Sequence, residues 1–416
     1  MARRADSRAL TALFAAEVVS TTGSEMAAIA LPWFVLVTTG SPARMGVVMA
    51  AEFVGMTIFG VPSGRPATAL GPRRTMLAGD AVRAPLIAVI PLLYWYGELS
   101  FAAVLVVALV IGAFFPAYSS SQQLVLAGLT GEDEVRLTRL GGVFGSVNET
   151  ASFVGPAIGG ILVVLIGAPW VLVVDGLSYL VAFVLVLAFV PRLPLVDDDD
   201  EAGRGALEGL RRMWRDHPLR RRVAGCAVAE IGWAAMIAAL PVAALDRYGR
   251  GAGLAGWFLA CYGAGSVAGG LLATRAKSAA DRAANLAFAG MAVATWPLVV
   301  PLPAWAVMAA VAANGLCSGL FFPRFFAAVT LRTPPALRAR VMTSTMTAIS
   351  ATGPVGFVLS GLLLSHATSV TPAFVVVAAA FTAGSVFVLL PGGTWRVEAP
   401  AADATTMTET SPDPAT

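Results

Sequence analysis

Lysine is almost absent from this sequence: Lys277 stands alone against 27 arginines, and His217 and His366 are its two imidazoles. Charge of either sign is scarce, since 13% of the 416 residues are Asp, Glu, Lys or Arg, about half the share of an ordinary soluble domain. Neither histidine has a nucleophile or second ligand near it in the chain, so no catalytic constellation offers itself and an enzyme is not expected. The three cysteines, Cys226, Cys261 and Cys317, lie in separate apolar segments without ligand spacing, which points to neither a disulfide framework nor a metal site. No GxxxxGK[ST] loop is present, so ATP-driven pumping within this chain is not expected, and no cofactor is implied.

What the chain has in quantity is apolar length. It is 57% hydrophobic, and runs of 20 or more apolar residues recur, each long enough to cross a bilayer about 30 Å thick. The reading is an all-α integral membrane protein with twelve spans near 11–37, 44–64, 75–96, 100–126, 141–166, 169–190, 223–246, 254–274, 283–302, 304–330, 341–365 and 370–391. The first span lacks a cleavage site and is expected to remain as a helix. The organisation is an N-terminal half at 1–190, a linker at 191–222, a C-terminal half at 223–391 and a disordered tail at 392–416. The linker opens on the acidic run 197–201, read as a solvated segment. It continues into a basic stretch in which Leu207, Leu210 and Trp214 share one helical face, as in a helix lying on the membrane surface.

Of the 28 basic residues, 24 fall in or beside one set of loops, which places both termini in the cytoplasm. The net charge of +3 describes these loops and implies no nucleic-acid partner.

One stretch, 140–166, organises the rest. Gly141, Gly145, Asn148, Ser152, Gly155 and Gly159 recur at steps of three and four, forming a small-residue face that admits another helix backbone. Gly155-Pro156 removes a backbone donor within it, and Glu149 lies one turn earlier. Gly353-Pro354 echoes Gly155-Pro156 after 198 positions. Ala239-Leu240-Pro241 echoes Ala30-Leu31-Pro32, and Phe321-Phe322-Pro323 echoes Phe114-Phe115-Pro116, in the same order. The set indicates a duplicated chain of two related six-helix halves.

Twelve helices in two related halves joined by a long cytoplasmic loop resemble the major facilitator superfamily, over roughly residues 8–391. Gly155, Pro156, Gly159 and Gly160, within GPAIGG, resemble the fifth-helix motif of the superfamily's antiporters. The stretches at 20–41, 79–84 and 173–183 resemble the branch that includes macrolide-efflux and siderophore-export proteins. The resemblance implies alternating access around a cavity lined by helices 1, 4, 7 and 10. One departure concerns the loop between helices 2 and 3, which in the superfamily carries a Gly, Asp and Arg latch. Gly60, Gly64, Gly71, Arg73 and Arg74 fit, but Thr68 and Ala69 stand at the Asp-Arg positions, and Ala108 replaces an arginine of helix 4. Either another pair such as Asp80 and Arg83 performs the latch, or gating is looser.

Charge placed where it is expensive marks the candidate site. An ionised group near the bilayer centre costs about 2.5–3.5 kcal/mol, so it tends to face a cavity or a partner. Glu25 and Glu52 are the most central acids, followed by Glu149 and Glu230; for Glu17 and Asp175 a structural role leads. A carboxyl poised in low dielectric can load a proton from one side and release it to the other, and can pair with a cationic substrate. Arg324, inside helix 10, could contact an anionic substrate group, neutralise Glu149 or Glu230, or snorkel. Trp33, Met49, Met56, Phe115, Tyr118, Trp233, Tyr262 and Phe322 are candidate lining, with Gln122 and Asn148 as polar anchors; such residues also fill any helical core. The expectation is a secondary active transporter of the cell membrane. It would export small amphipathic molecules against protons, with sodium the less favoured ion, and work as a monomer. An importer of the same fold and a non-transporting membrane sensor or assembly partner are the rival readings.

Overall fold

The computed structural model describes residues 2–60, 70–130, 134–192, 211–249, 251–275, 280–333 and 337–389, and every regular element among them is helical. The helices are α1 (Ala2–Thr39), α2 (Pro42–Gly60), α3 (Pro72–Tyr96), α4 (Phe101–Thr130), α5 (Glu134–Ile166), α6 (Ala168–Phe189) and α7 (His217–Asp246). They continue with α8 (Ala252–Arg275), α9 (Ala280–Thr295), α10 (Ala304–Arg332), α11 (Arg338–Ser350), α12 (Gly353–His366) and α13 (Thr371–Leu389). Ten segments, with Val341–His366 taken as one, are long and apolar enough to cross a bilayer. The shorter apolar stretches Val154–Ile166 and Ala283–Val299 occupy the remaining two of the twelve expected positions.

Two spans differ from expectation. The ninth stops as α-helix at Thr295 and passes through a 3₁₀ turn, Trp296–Val299, because Pro297, Pro301 and Pro303 follow in quick succession and withhold backbone donors. The eleventh is broken between α11 and α12, where Pro354 sits in the first turn of a new helix. Thr352 Oγ1 staples the break to the Ala227 carbonyl of α7 at 2.6 Å.

Packing repeats across the chain. In the first half α1 lies on α5 and α6, α2 on α4, and α3 on α4 and α6. In the second half α7 lies on α12 and α13, α8 on α10, and α9 on α10 and α13. The proline echoes fall on matching partners: Pro32 and Pro241 in α1 and α7, Pro116 and Pro323 in α4 and α10, Pro156 and Pro354 in α5 and α12. Glycine makes the tightest of these contacts possible. Any Cβ at Gly112 of α4 would collide with the Glu52 backbone of α2, and one at Gly269 of α8 would approach the Leu320 nitrogen of α10 to 3.0 Å.

The halves join through two seams, α5 on α8 and α2 on α12, at the end of the bundle where α2 and α8 begin. A Cβ on Gly160 would stand 2.8 Å from the Ala252 oxygen, and one on Gly361 2.8 Å from the Pro42 oxygen. The Ala43 amide donates to Ser365 Oγ across the second seam at 2.9 Å. The expected small face of α5 is therefore split. Gly155 and Gly159 seat α1 of the same half at Glu25 and Met26, and Pro156 and Gly160 meet α8 of the other half.

Large apolar side chains on the outer surface, among them Val164, Leu165, Leu286, Val293 and Trp305, face outward, as a lipid-exposed belt requires. Trp95 and Trp170 meet with tilted rings, centroids 4.8 Å apart, near the ends of α3 and α6, where interfacial aromatics concentrate. Of the linker, Leu207 and Leu210 lie outside the described residues. Met213, rather than Trp214, turns inward and accepts a hydrogen bond from Thr345 of α11, while Trp214 is exposed beneath the Arg220 guanidinium.

Candidate functional site: a central acidic cavity and the buried cation behind it

A cavity of about 380 Å³ lies between the halves, with α1, α2, α3, α4, α5 and α6 on one side and α7, α8 and α12 on the other. Glu25, Met49, Glu52, Asp175, Trp233 and Tyr262 of the expected set all reach its wall. Its apolar lining includes Leu31, Ile87, Ile111, Ile237 and Leu259. Phe53 spans the halves, with its ring 5.0 Å from Phe357 and 6.4 Å from Trp233. Glu52 opens into this space, close enough to Glu25 for their charges to repel.

The expected division of labour among helices needs correction. Helix α10 contributes nothing to the central wall, whereas α2, α6 and α8 do. Helix α8 can come that close because glycines at 265 and 269 let it press against α10, leaving its Tyr262 and Ser266 turned toward the cavity.

Behind the wall, α3 holds a buried ion pair. Arg83 donates to Asp80 Oδ1 at 2.8 Å, and its guanidinium lies 4.2 Å from the Tyr118 ring centroid and 4.4 Å from that of Tyr179. Tyr179 connects this cation to the cavity, sharing a hydrogen bond of 2.8 Å with Ser24 of α1. Asp175, one turn earlier on α6, is within electrostatic reach of Arg83. Glu17, on the far side, accepts from Gln122 of α4, and Thr21 donates to Asn148 of α5 at 3.3 Å. The array can compensate or release charge at Asp175 without exposing Arg83 to lipid.

Several expected lining residues stand elsewhere. Tyr118, Gln122 and Glu17 belong to the Arg83 network, and Asn148 to its α1–α5 edge. Trp33 is buried in the packing of α1, Phe115 is half-exposed, and Met56 lies beyond the cavity on α2. These departures share a cause, because a helix spacing names a face without naming the neighbour that face meets. Phe322 and Glu230 line a separate cavity within the second half. Arg324 is engaged by backbone: it donates to the Leu320 carbonyl at 2.7 Å and to the Ala273 carbonyl at the end of α8 at 3.3 Å. The side chain of Glu149 lies outside the described residues, as does Gly64.

Asp80 and Arg83 do pair, but inside the first half rather than in the loop between α2 and α3. Arg73 instead ties the start of α3 to the Leu187 carbonyl of α6 at 2.8 Å, while Arg74 is exposed. Gly71 holds φ at 83°, a left-handed conformation that opens α3 and disfavours any side chain. Ser24 shares the polar stripe of Glu17, Thr21 and Glu25 on helix 1, whereas Tyr179 carries no such signal beyond following Asp175 by four residues on the same helical face.

A family model described as Major Facilitator Superfamily matches residues 13–304, and the chain belongs to that family. It is thereby a multi-pass membrane transporter of small molecules and not an enzyme. The chain is 26% identical over 367 residues to the multidrug efflux pump Tap of Mycobacterium tuberculosis, covering 85% of this chain and 86% of the relative. It is 27% identical to Tap of Mycolicibacterium fortuitum, covering 86% and 89%. Among solved structures, a mutant of the nucleoside transporter NupG superposes with a TM-score of 0.72 at 12% identity, covering 91% of this chain and 98% of that one, which speaks for the fold alone.

Proposed function

We propose that the chain is a proton-driven exporter of small amphipathic organic molecules, working as a monomer by alternating access. Its end bearing both termini faces the cytoplasm. The observation that carries this reading is the central cavity, in which Glu25, Glu52 and Asp175 face one space walled by Met49, Phe53, Trp233 and Tyr262. Apolar and aromatic walls suit varied apolar ligands. Acids in such a space bind either a proton or a cationic group, so substrate entry displaces protons. The relatives that carry the name of multidrug efflux pump support the direction of transport. Arg83, clamped between two tyrosine rings, is the fixed counter-charge against which Asp175 gains and loses its proton. With its seams closed at the external end, the chain stands in a cytoplasm-facing state.

The test is substrate-triggered proton movement in inverted vesicles carrying the wild type or Glu25→Gln, screened with lipophilic cations, macrolides and siderophore-like anions. Proton movement with the wild type and its loss in the variant support the reading. Accumulation of substrate by intact cells would replace export with import.

A further inference from the structure

The central cavity has a neighbour. Phe53, Trp233 and Tyr262 are shared with a second cavity of about 200 Å³ inside the C-terminal half, between α7, α9, α10 and α13. Its polar lining includes a carboxylate and an amide oxygen. Glu230 contributes a carboxylate from α7. Asn314 on α10 is 1% exposed and donates its amide N–H to the Met291 carbonyl at 3.2 Å. Only the nitrogen of that amide can satisfy a carbonyl, so the oxygen is turned the other way. There Asn314 Oδ1 is buried with no hydrogen-bond partner among the described residues. Tyr262, at the threshold, gives its hydrogen to Ser318 Oγ at 3.2 Å. Phe288, Phe322 and Phe381 close the space with aromatic rings.

A buried acceptor left without a donor costs about 1–3 kcal/mol, which a ligand N–H would recover. A carboxylate among aromatic faces favours a cation twice, by direct charge and by the ring quadrupoles. An anion would meet the like charge of Glu230. The volume admits an ammonium group with a few carbons, and the shared threshold leaves the rest of such a molecule in the central cavity.

We propose that this side cavity is an ammonium subsite: it takes the N–H-bearing cationic end of an amphipathic amine, whose apolar body occupies the central cavity. Its use in transport rests on the export reading above, but the recognition itself is a binding property that needs no gradient.

The experiment uses the full chain in lipid nanodiscs, titrated with dansylcadaverine, its N-acetyl derivative and its N,N,N-trimethyl derivative, with binding read from the dansyl emission shift. Wild type is expected to prefer the primary ammonium over the acetyl derivative by at least tenfold. Glu230→Gln, nearly isosteric, should remove that preference. Asn314→Leu should keep it while removing the preference for primary ammonium over trimethylammonium, because no N–H donor is then needed. Thermal melting checks that each variant is folded, and Asn314→Ala serves if the leucine variant is not. No ammonium preference in wild type, an unchanged preference in Glu230→Gln, or an equal loss for all three probes overturns the assignment. Proton movement in vesicles is scored separately. A protein that moves protons without ammonium preference fails only here, and one that binds the amine without moving protons fails only the export reading.

Discussion

Arg83 and Asp80 lie three residues apart on α3, joined at 2.8 Å, with side chains 4% and 0% exposed. Removing one member of such a pair strands a buried charge, at a cost of about 3–5 kcal/mol, whereas replacing both with apolar groups is often near neutral. Arg83→Met should therefore destabilise the protein strongly, and Arg83→Met with Asp80→Leu should recover most of the loss in denaturant unfolding from mixed micelles. The double variant should still fail to couple proton movement to substrate, since the counter-charge near Asp175 is gone. Recovery of both stability and coupling would reduce the pair to packing.

At the seam of α5 and α8, Gly160 stands where a Cβ would approach the Ala252 oxygen to 2.8 Å. Gly160→Leu should hold the halves apart at that end, lengthening the spin-label distance between positions 43 and 365. Transport should fall at least tenfold while the melting temperature moves little, because each half keeps its own packing. A normal distance and a normal rate would remove the seam from the transport cycle.

Arg324 holds the Ala273 and Leu320 carbonyls, and hydrogen bonds to charged groups contribute about 1.5–3 kcal/mol. Arg324→Gln should lose stability of that order in denaturant titration, with the ranking of exported compounds unchanged. A reordered ranking would return the residue to the substrate path.

Gly112 lies against the backbone of Glu52 itself. Gly112→Val forces extra volume between α4 and α2, an overpacking that costs about 1–3 kcal/mol. It should also displace Glu52, so proton movement should drop more than folded yield. Equal losses in vesicle assays and in size-exclusion recovery would mean that only packing was affected.

The helical, duplicated architecture was legible because its signals are local or repetitive: apolar runs of span length, basic loops, and proline echoes that fall on equivalent helices. Glu25, Glu52 and Trp233 were legible as cavity residues because a polar or large group in mid-span needs a partner or a space. The sequence leaves Arg83 as one of two alternatives for the latch, since its spacing from Asp80 says nothing about the two tyrosines that α4 and α6 bring to it. Asn314 gave no warning at all. Its significance lies in an oxygen left over after Met291 has taken the amide hydrogen, which only three-dimensional placement discloses.

Helix α5 runs unbroken through Pro156, whereas its counterpart is severed into α11 and α12 ahead of Pro354. Two copies of one ancestral lever have thus acquired different mechanics: a stiff rod in the first half, a jointed arm in the second. The joint touches both halves: Thr352 is stapled to α7 within one turn of Glu230, and Gly353 faces Phe53, the neighbour of Glu52 in α2. A rod cannot pass on bending without moving as a whole, but an arm can flex at its elbow while the shoulder stays put. The twofold symmetry of the plan therefore does not extend to its mechanics: the second half has a joint where the first has none.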